Sequence, residues 1–251
     1  MDYRFATTKR NEEDFASGRV LYGAHGTTAF PVRLASELVQ RGVEQLRLSG
    51  KTAPYRLYDP FCGGGYLAAL LGFLQPGLFA RIDGADLNDD VLSVARRNLS
   101  LLTPVGMEER IAQLQELERL YGKPSHREAL ISASVLAEIV SKQERIPDWA
   151  VHHHDSTGAV PPEEVKEVDL VVTDLPYGGL VSWQGEADAP VQAFLSQLTR
   201  CLNRDAIVIV VADKGQKLTH EAYKRLQAGK VGKRQYAIFR WIGGQQDGTT
   251  L

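Results

Sequence analysis

Short segments rich in apolar and β-branched residues alternate along this chain with stretches in which apolar residues recur at helical spacing. Strands are predicted at residues 55–59, 79–85, 150–154, 170–173 and 206–212, with a final hairpin strand within 231–242. The first helix is predicted to begin at Pro31, whose ring suits the first position of a helix. The alternation predicts an α/β fold with a doubly wound, mostly parallel, Rossmann-like sheet.

Two more helices are predicted between the second and third strands, over residues 107–122 and 125–145. A Gly-Lys-Pro-Ser break at 122–125 separates them, so they would form a helical hairpin inserted at 104–148. The first 30 residues show no helical or strand pattern and are expected to be irregular. The length of 251 residues suits a single domain, residues 1–251, that contains this insertion.

Composition excludes several classes of protein. With 43% hydrophobic residues, 24% charged residues and a formal net charge of −2, the chain is neither disordered nor collagen-like. Two cysteines, Cys62 and Cys201, cannot form a disulfide framework. The longest apolar run, 66–74, is too short to span a bilayer, and the N-terminal residues do not resemble a signal peptide. We expect a cytoplasmic monomer with no membrane partner.

Three consecutive histidines, His152 to His154, raise the question of a metal site. They fall on a predicted strand, where successive side chains point to opposite faces of the sheet. The three imidazoles therefore cannot converge on one ion, and we expect no metal.

The first predicted strand ends at Asp59 and runs into a glycine-rich turn, Cys62 to Gly65, before the next helix. Glycines let the backbone approach a ligand closely, and the start of the helix offers free N–H groups. Asp86 ends the second strand, where a carboxylate can accept hydrogen bonds from both hydroxyls of a ribose. An acid before the glycines disfavours a pyrophosphate and favours a ligand with an ammonium group, such as S-adenosylmethionine. A dinucleotide, or a turn with a purely structural role, are the alternatives.

The fourth predicted strand runs into Asp174-Leu175-Pro176-Tyr177-Gly178, at the same edge of the sheet as Asp59 and Asp86. This block resembles the Asn/Asp-Pro-Pro-Tyr signature of methyltransferases that act on planar nitrogen. The Asp174 carboxylate and the Leu175 carbonyl can accept N–H groups of a base, and Pro176 stiffens the turn that aims them. The Tyr177 ring can stack on the base and stabilise developing positive charge. The alternative is an ordinary β-turn with proline at its second position.

Several blocks together resemble one family, the avilamycin (orthosomycin) resistance type of 23S ribosomal RNA guanine methyltransferase. They are Phe30–Ala35 with Gln40 and Arg41, Asp59–Leu67, Gly122–Ser125 and Thr173–Gly178. The similarity runs from about residue 20 to residue 212 and includes the helical insertion. The resemblance implies a class I methyltransferase fold, which has a sheet of seven strands. It also implies a cytoplasmic enzyme that uses S-adenosylmethionine to methylate a guanine base of 23S rRNA, with resistance to a ribosome-targeting antibiotic as the outcome.

The resemblance also implies roles for individual residues. The residues that would hold the cofactor are Phe30, Arg33, Asp59, Cys62, Gly63, Gly65, Asp86, Asp155 and Asp174. The residues that would flank the transferred methyl group are Asp174, Leu175, Pro176 and Tyr177. Leu175 departs from the family signature, which has proline there, but its backbone carbonyl is unaffected. Gly64 stands where such turns often have serine.

Charge is unevenly distributed in a way that the near-neutral total conceals. The basic segment, residues 214–240, has eight Lys or Arg residues and one acid, a net charge of +7, whereas residues 155–190 have a net charge of −7. A concentrated basic stretch is the footprint expected for contact with RNA phosphates, although it is also compatible with a solvated surface. The predicted substrate contacts are Tyr177, Gly178, Trp183, Lys214 and Lys217. The mixed charges of the helical hairpin, among them Arg110, Arg119, Lys123 and Arg127, fit either a structural insert or an RNA-facing platform.

The function predicted from the sequence is therefore S-adenosylmethionine-dependent methylation of a guanine in 23S rRNA. One alternative is methylation of adenine N6 or of a glutamine amide, for which similar turns are used. An alternative of another class is a nicotinamide-dependent dehydrogenase, which gives no reason for the Asp-Leu-Pro-Tyr block.

Overall fold

The computed structural model describes residues 2–24, 29–176 and 189–243. In these residues, five adjacent parallel strands make up most of one sheet. The strands in these ranges are β1 (Tyr55–Asp59), β2 (Phe79–Asp86), β3 (Asp148–His153), β4 (Val168–Asp174), β5 (Leu202–Asp213), β6 (Tyr223–Val231) and β7 (Arg234–Trp241). Their order is β3-β2-β1-β4-β5-β7-β6, and only β7 and β6 run antiparallel to their neighbours. The sequence order reverses between β1 and β4, the place at which open α/β sheets bind ligands.

The helices cover both faces of this sheet. Those in the described ranges are α1 (Val32–Leu48), α2 (Tyr66–Leu74), α3 (Asp89–Ser100), α4 (Pro104–Tyr121), α5 (Pro124–Ser141) and α6 (Pro190–Leu198). Neighbouring strand residues face opposite cores: Leu57 packs in the core with α1 and α2, whereas Tyr58 packs in the core with α6. Burial on both sides explains why the central strands are continuous apolar runs.

The two hairpin helices, α4 and α5, lie between α3 and β3. Thr103 caps α4 through its side-chain oxygen, and Gly122, with φ of 58°, allows the left-handed turn that ends this helix. Arg110 is buried and donates to the carbonyl oxygens of Val20 and Arg19. At least this basic residue of the hairpin therefore serves to hold the N-terminal segment and not to contact RNA.

The N-terminal segment, residues 2–24, is held on α1 by a buried carboxylate. Glu37 accepts hydrogen bonds from the backbone N–H groups of Arg4, Phe5 and Ala6, at 2.8 Å each. It also accepts one from Arg41 Nε at 2.7 Å. Burial alone would raise the pKa of Glu37, but these hydrogen bonds lower it below its ordinary value. The segment, expected to be irregular, is thus fixed without regular structure except for a short 3₁₀ turn at Glu13–Phe15.

Two elements differ from the sequence prediction. The helix α6 was missed, although Val191, Phe194, Leu195 and Leu198 form its buried stripe at helical spacing. The C-terminal region contains two strands, β6 and β7, where one was expected. β6 is an edge strand with exposed Lys and Arg side chains, so its sequence lacks the apolar alternation by which strands are recognised.

Within the described ranges, no helix has both the length and the apolar character needed to cross a membrane.

Candidate active site

The glycine turn, Cys62–Gly65, follows β1 and leads directly into α2. Gly63 and Gly65 have φ angles of 51° and 71°, a left-handed backbone conformation that residues with a Cβ atom adopt only at a cost in free energy. A Cβ at Gly65 would lie 2.8 Å from the Cα of Ala95 on α3, closer than real atoms approach. The turn is therefore fixed both by its own backbone and by the packing of α3 against it.

Asn98 holds the glycine turn from behind, and it was not selected from the sequence. This fully buried side chain donates from Nδ2 to the carbonyl oxygens of Gly64 (2.8 Å) and Tyr22 (2.9 Å), and it accepts from Tyr22 N at 2.7 Å. A polar amide at a buried position of α3 is the signal that identifies such a residue. At Gly64, a Cβ would lie 2.6 Å from that of Ala24, which explains why serine is not found there.

Asp86 ends β2 beside the turn. Its carboxylate accepts from Gly63 N at 2.8 Å through one oxygen and from Asn88 N at 2.9 Å through the other. A carboxylate has about four lone-pair sites, so each oxygen keeps capacity for a further donor such as a ribose hydroxyl. Asp86 is thus bonded directly to the glycine turn, a contact that the sequence analysis did not predict.

Asp59 is a buried carboxylate at the end of β1. Its Oδ1 accepts from Thr173 Oγ1 at 2.7 Å and, weakly, from Phe61 N at 3.4 Å. Burial and, to a smaller extent, the charges of Asp86 and Asp174 raise the pKa of Asp59, the two hydrogen bonds lower it, and the net result is a pKa of about 7. Three carboxylates thus lie near each other with the pKa of one displaced toward neutrality, an arrangement that favours a cationic ligand.

Asp174 and its turn lie next to Asp59, because Thr173, which bonds Asp59, immediately precedes Asp174 on β4. Leu175 has its side chain in the core and donates its N–H to Val211 O at 2.8 Å. Proline, the residue of the family signature, has no N–H with which to make this bond. The turn is fastened on its far side as well, since Pro176 O accepts from Gln216 Nε2 at 3.2 Å.

Arg234, the first residue of β7, faces Asp174 and was likewise overlooked in the sequence. Its Nη2 lies 3.5 Å from Asp174 Oδ2, and its guanidinium carbon is 5.3 Å from the centre of the Phe30 ring. The two charged side chains are only 13% and 20% exposed. Phe30 therefore lies next to Arg234, a cation that the sequence analysis had assigned only to the basic segment.

Other predicted cofactor residues are placed differently. The Arg33 side chain donates to the carbonyl oxygens of Ala6 and Thr7 and covers the Tyr3 ring, so it is engaged by the N-terminal segment rather than by the glycine turn. The Cys62 thiol is buried, and its sulfur would lie 3.0 Å from a Cβ at Gly84 of β2. Burial raises the pKa of this thiol well above its ordinary value, which makes it a poor nucleophile.

Asp155 follows β3 at the same edge of the sheet. Its Oδ1 accepts from both the backbone N (2.9 Å) and the Oγ1 (2.6 Å) of Thr157. Burial alone would raise the pKa of Asp155, but these bonds, one from the Gly158 backbone and the charge of His154 lower it below its ordinary value. The structure thus keeps Asp155 ionised in a local turn.

Part of the predicted substrate site is not covered by the structure: Tyr177, Gly178 and Trp183 lie outside the described residues. Lys214 and Lys217 are exposed in the turn after β5, whose Gln216 contacts Pro176. These two lysines are therefore brought to the rim of the Asp174 turn.

The basic segment is not one continuous patch. The antiparallel register pairs Lys230 with Gln235 and Val231 with Arg234 at the end of the hairpin near Asp213, but Lys224 with Arg240 at the opposite end. Lys214, Lys217, Lys230, Lys233 and Arg234 thus cluster at the active-site edge. Lys224, Arg225 and Arg240 lie at the other end of the same strands.

Two of the three consecutive histidines, His152 and His153, contact different partners. His152 Nε2 is 3.1 Å from Asp83, whereas His153 Nε2 is 2.9 Å from the carbonyl oxygen of Leu87. Among the residues that the structure describes, no group of three or more His, Cys, Asp or Glu side chains is placed to hold a metal ion.

Comparison with known proteins gives consistent matches along most of the chain. A family model described as rRNA methyltransferase AviRa matches residues 1–234. A 23S rRNA (guanine(2535)-N(1))-methyltransferase from Streptomyces viridochromogenes is 35% identical over 245 residues, 95% of each chain. The chain belongs to the AviRa family of rRNA methyltransferases. Two solved structures of the rRNA methyltransferase aviRa from the same species match with TM-scores of 0.82 and 0.81, at 32% and 33% identity, over 96% of each chain.

Membership of the AviRa family confirms the resemblance seen in the sequence, and the structural matches confirm the class I methyltransferase fold. The protein is a methyltransferase, which sets aside the alternative of a nicotinamide-dependent dehydrogenase. The AviRa family model ends at residue 234, the arginine that faces Asp174.

Proposed function

We propose that the protein methylates N1 of a guanine in 23S rRNA with S-adenosylmethionine as the methyl donor. The observation that carries the proposal is the 2.7 Å hydrogen bond from Thr173 to Asp59. It joins the end of β1, where the glycine turn begins, to the end of β4, where Asp174 follows at once. A ligand held by Asp59 and a base held by Asp174 would therefore be neighbours.

The residues of the glycine turn fit S-adenosylmethionine. Both hydrogen bonds that Asp59 accepts within the described residues go to Oδ1, which leaves Oδ2 for an ammonium group. Asp86 would accept from the ribose hydroxyls, and Asp155 from the adenine amine. The backbone at Gly63 and Gly65 allows close approach without side-chain interference. When bound, S-adenosylmethionine supplies a methyl group on a positively charged sulfur, an electrophile that needs no metal.

Asp174 would act on the base. N1 of guanine carries a proton at neutral pH, so its lone pair is not available until that proton is accepted by another group. The Asp174 carboxylate, at the end of a strand held by the bonds of Leu175 and Pro176, would accept this proton. Because the turn is fastened on both sides, little reorganisation is needed during the reaction, the condition for electrostatic preorganisation.

The RNA would be held by the four exposed lysines at the active-site edge of the basic segment, Lys214, Lys217, Lys230 and Lys233, since phosphate contacts supply most of the affinity for RNA. The target base must leave its stack to reach Asp174. The protein would act in the cytoplasm as a monomer, and its modification of 23S rRNA would protect the ribosome from an antibiotic, as the similarity to an AviRa enzyme suggests.

The experiment is to incubate unmodified 23S rRNA with the protein and labelled S-adenosylmethionine, and to map the modified nucleotide and atom. We expect a single guanine methylated at N1. Asp174→Asn should lower the rate at least about 10²-fold, as for the loss of a general base, while leaving intact the phosphate contacts that supply most of the affinity for RNA. Asp148→Asn, at an exposed position at the start of β3, is the matched control and should be neutral. Incorporation at another base, or full activity of Asp174→Asn, would refute the proposal.

A further inference from the structure

The pair formed by Asp174 and Arg234 differs from the structural ion pairs of this protein. Arg81 donates two hydrogen bonds to Asp83, at 2.7 and 2.8 Å, which is the bidentate geometry of a strong ion pair. The Arg234–Asp174 distance of 3.5 Å exceeds the range of a charge-assisted hydrogen bond. The two charged groups thus lie side by side at the site, without the bidentate contact that joins Arg81 to Asp83.

The position of Arg234 is fixed independently of this contact. Phe30 lies beneath its guanidinium, and the register of the sheet places it beside Asp213 at the end of β5. The next residue, Gln235, donates from Nε2 to the carbonyl oxygens of Asp213 (2.8 Å) and Gln216 (2.6 Å). Gln216 in turn bonds Pro176 of the Asp174 turn. These contacts through Gln235 and Gln216 therefore fix the position of the Arg234 guanidinium relative to the Asp174 carboxylate.

A carboxylate next to a guanidinium offers two acceptors followed by donors. The Watson–Crick edge of guanine is the complement of this order, because it presents the N2–H and N1–H donors followed by the O6 acceptor. Adenine would place the N1 lone pair against the carboxylate, and uracil would place a carbonyl oxygen against its second oxygen, so both are repelled.

We propose that Arg234 reads O6 of the target guanine while Asp174 accepts the N1–H and N2–H bonds, an inference that rests on the proposed function. The same contact serves the reaction. The N1 proton passes to Asp174, the N1 electron pair forms the bond to the methyl carbon, and the pair of the broken S–C bond stays on sulfur as a neutral thioether. Negative charge that N1 gains as its proton leaves is shared with O6, where Arg234 stabilises it. Arg234 is thus a specificity and catalytic residue of the site.

The first test measures binding without the methyl donor. RNA hairpins that carry guanine, adenine or uracil at the position mapped for the wild type are titrated against the wild type, Arg234→Gln and Arg56→Gln. Arg56, which pairs with Glu167 at the other end of the sheet, is a matched control. We expect the wild type and Arg56→Gln to prefer guanine about 10- to 100-fold, and Arg234→Gln to lose most of this preference. An unchanged preference in Arg234→Gln would overturn the inference.

The second test is the pH profile of single-turnover methylation. Removing one donor to a developing oxyanion lowers the rate about 10²- to 10³-fold. For Arg234→Gln we expect this deficit at pH 7 and a steady decrease of the deficit as rising pH ionises N1 without help. Arg234→Lys, which keeps the charge, should lie between the two. A deficit that is the same at every pH indicates a purely structural role and would also overturn the inference.

The outcomes separate the two proposals. If the wild type methylates no guanine of 23S rRNA, the proposed function itself fails. If it methylates guanine at N7, which lies on the opposite edge of the base, the enzyme is a guanine methyltransferase but the assignment of Arg234 to O6 is wrong. Circular dichroism and binding of S-adenosylmethionine establish that each variant is folded.

Discussion

The glycine turn and the basic segment meet at the same edge of the sheet, but they are built in different ways. The glycine turn is held by one buried and one half-buried side chain, since Asn98 donates to the carbonyl oxygen of Gly64 and Asp86 accepts from the N–H of Gly63. In the basic segment, six of the eight Lys and Arg side chains are exposed. The exceptions are Arg234 and Arg240, and only Arg234 faces the active site.

The difference corresponds to the ligands proposed for the two regions. A small cofactor that must be held in one orientation requires fixed geometry, which packing and backbone conformation provide. A large, flexible polyanion requires charge density more than geometry, and exposed cations provide it at little structural cost. Arg234 belongs to the basic segment by sequence, but its side chain is largely buried, like the side chains that hold the glycine turn. This is expected of a residue that contacts the base and not the phosphates.

The largest effect on the free energy of unfolding is expected for a substitution of Gly65, the most constrained residue of the glycine turn. Gly65→Ala imposes a side chain on a backbone with φ of 71° and forces its Cβ against Ala95. Gly77→Ala is the matched control, since its φ is 74° but its Cβ would meet nothing within 4 Å. We expect Gly77→Ala to lower the free energy of unfolding by about 1 kcal/mol, and Gly65→Ala by about 3 kcal/mol because overpacking adds to strain. Chemical denaturation measures both values, and equal losses would show that α3 does not clamp the turn.

The next effect concerns the charge of Asp59. Because its pKa is raised to about 7, this carboxyl is largely protonated at pH 6 before any cation binds. Affinity for S-adenosylmethionine should therefore fall up to tenfold per unit as pH drops from 7 to 5. Calorimetry should show no such dependence for 5′-methylthioadenosine, which lacks the amino group, or for Asp59→Asn. A pH-independent affinity in the wild type would contradict the role of Asp59.

The same residue affects stability with a definite sign. A pKa that is higher in the folded than in the unfolded protein stabilises the fold fully below pH 4, and this contribution is lost as pH rises toward 7. The loss reaches up to about 1.4 kcal/mol per pH unit in the ligand-free protein, and Asp59→Asn should abolish it. Thr173→Val removes a hydrogen bond that lowers the pKa of Asp59, so the pKa should rise further. The loss of stability with rising pH should then continue to a higher pH than in the wild type.

The sequence predicted well those features whose cause is local. The central strands and the glycine turn follow from residue pattern and turn chemistry, and they were located within a few residues. The edge strand β6 is largely exposed, so burial imposes little pattern on its sequence. The roles of Arg33, Asn98 and Arg234 depend on partners at least 26 residues away in the chain. Such pairings arise only from tertiary packing, and no local spacing indicates them.

The smallest effect is expected in the exposed part of the basic segment, where each cation acts alone. Lys214→Ala and Lys217→Ala together should reduce the slope of log affinity against log salt concentration by about 0.7 to 0.9 for each phosphate that is no longer neutralised, uniformly across RNA sequences. Lys224→Ala tests the division of the segment, because Lys224 lies on the same hairpin but about 20 Å along β6 from Lys230. If the RNA docks only at the active-site edge, Lys224→Ala leaves the slope unchanged. An equal decrease of the slope for Lys224→Ala would show that the RNA runs along the whole hairpin, and the contrast between a compact active-site cluster and an inert far end would no longer hold.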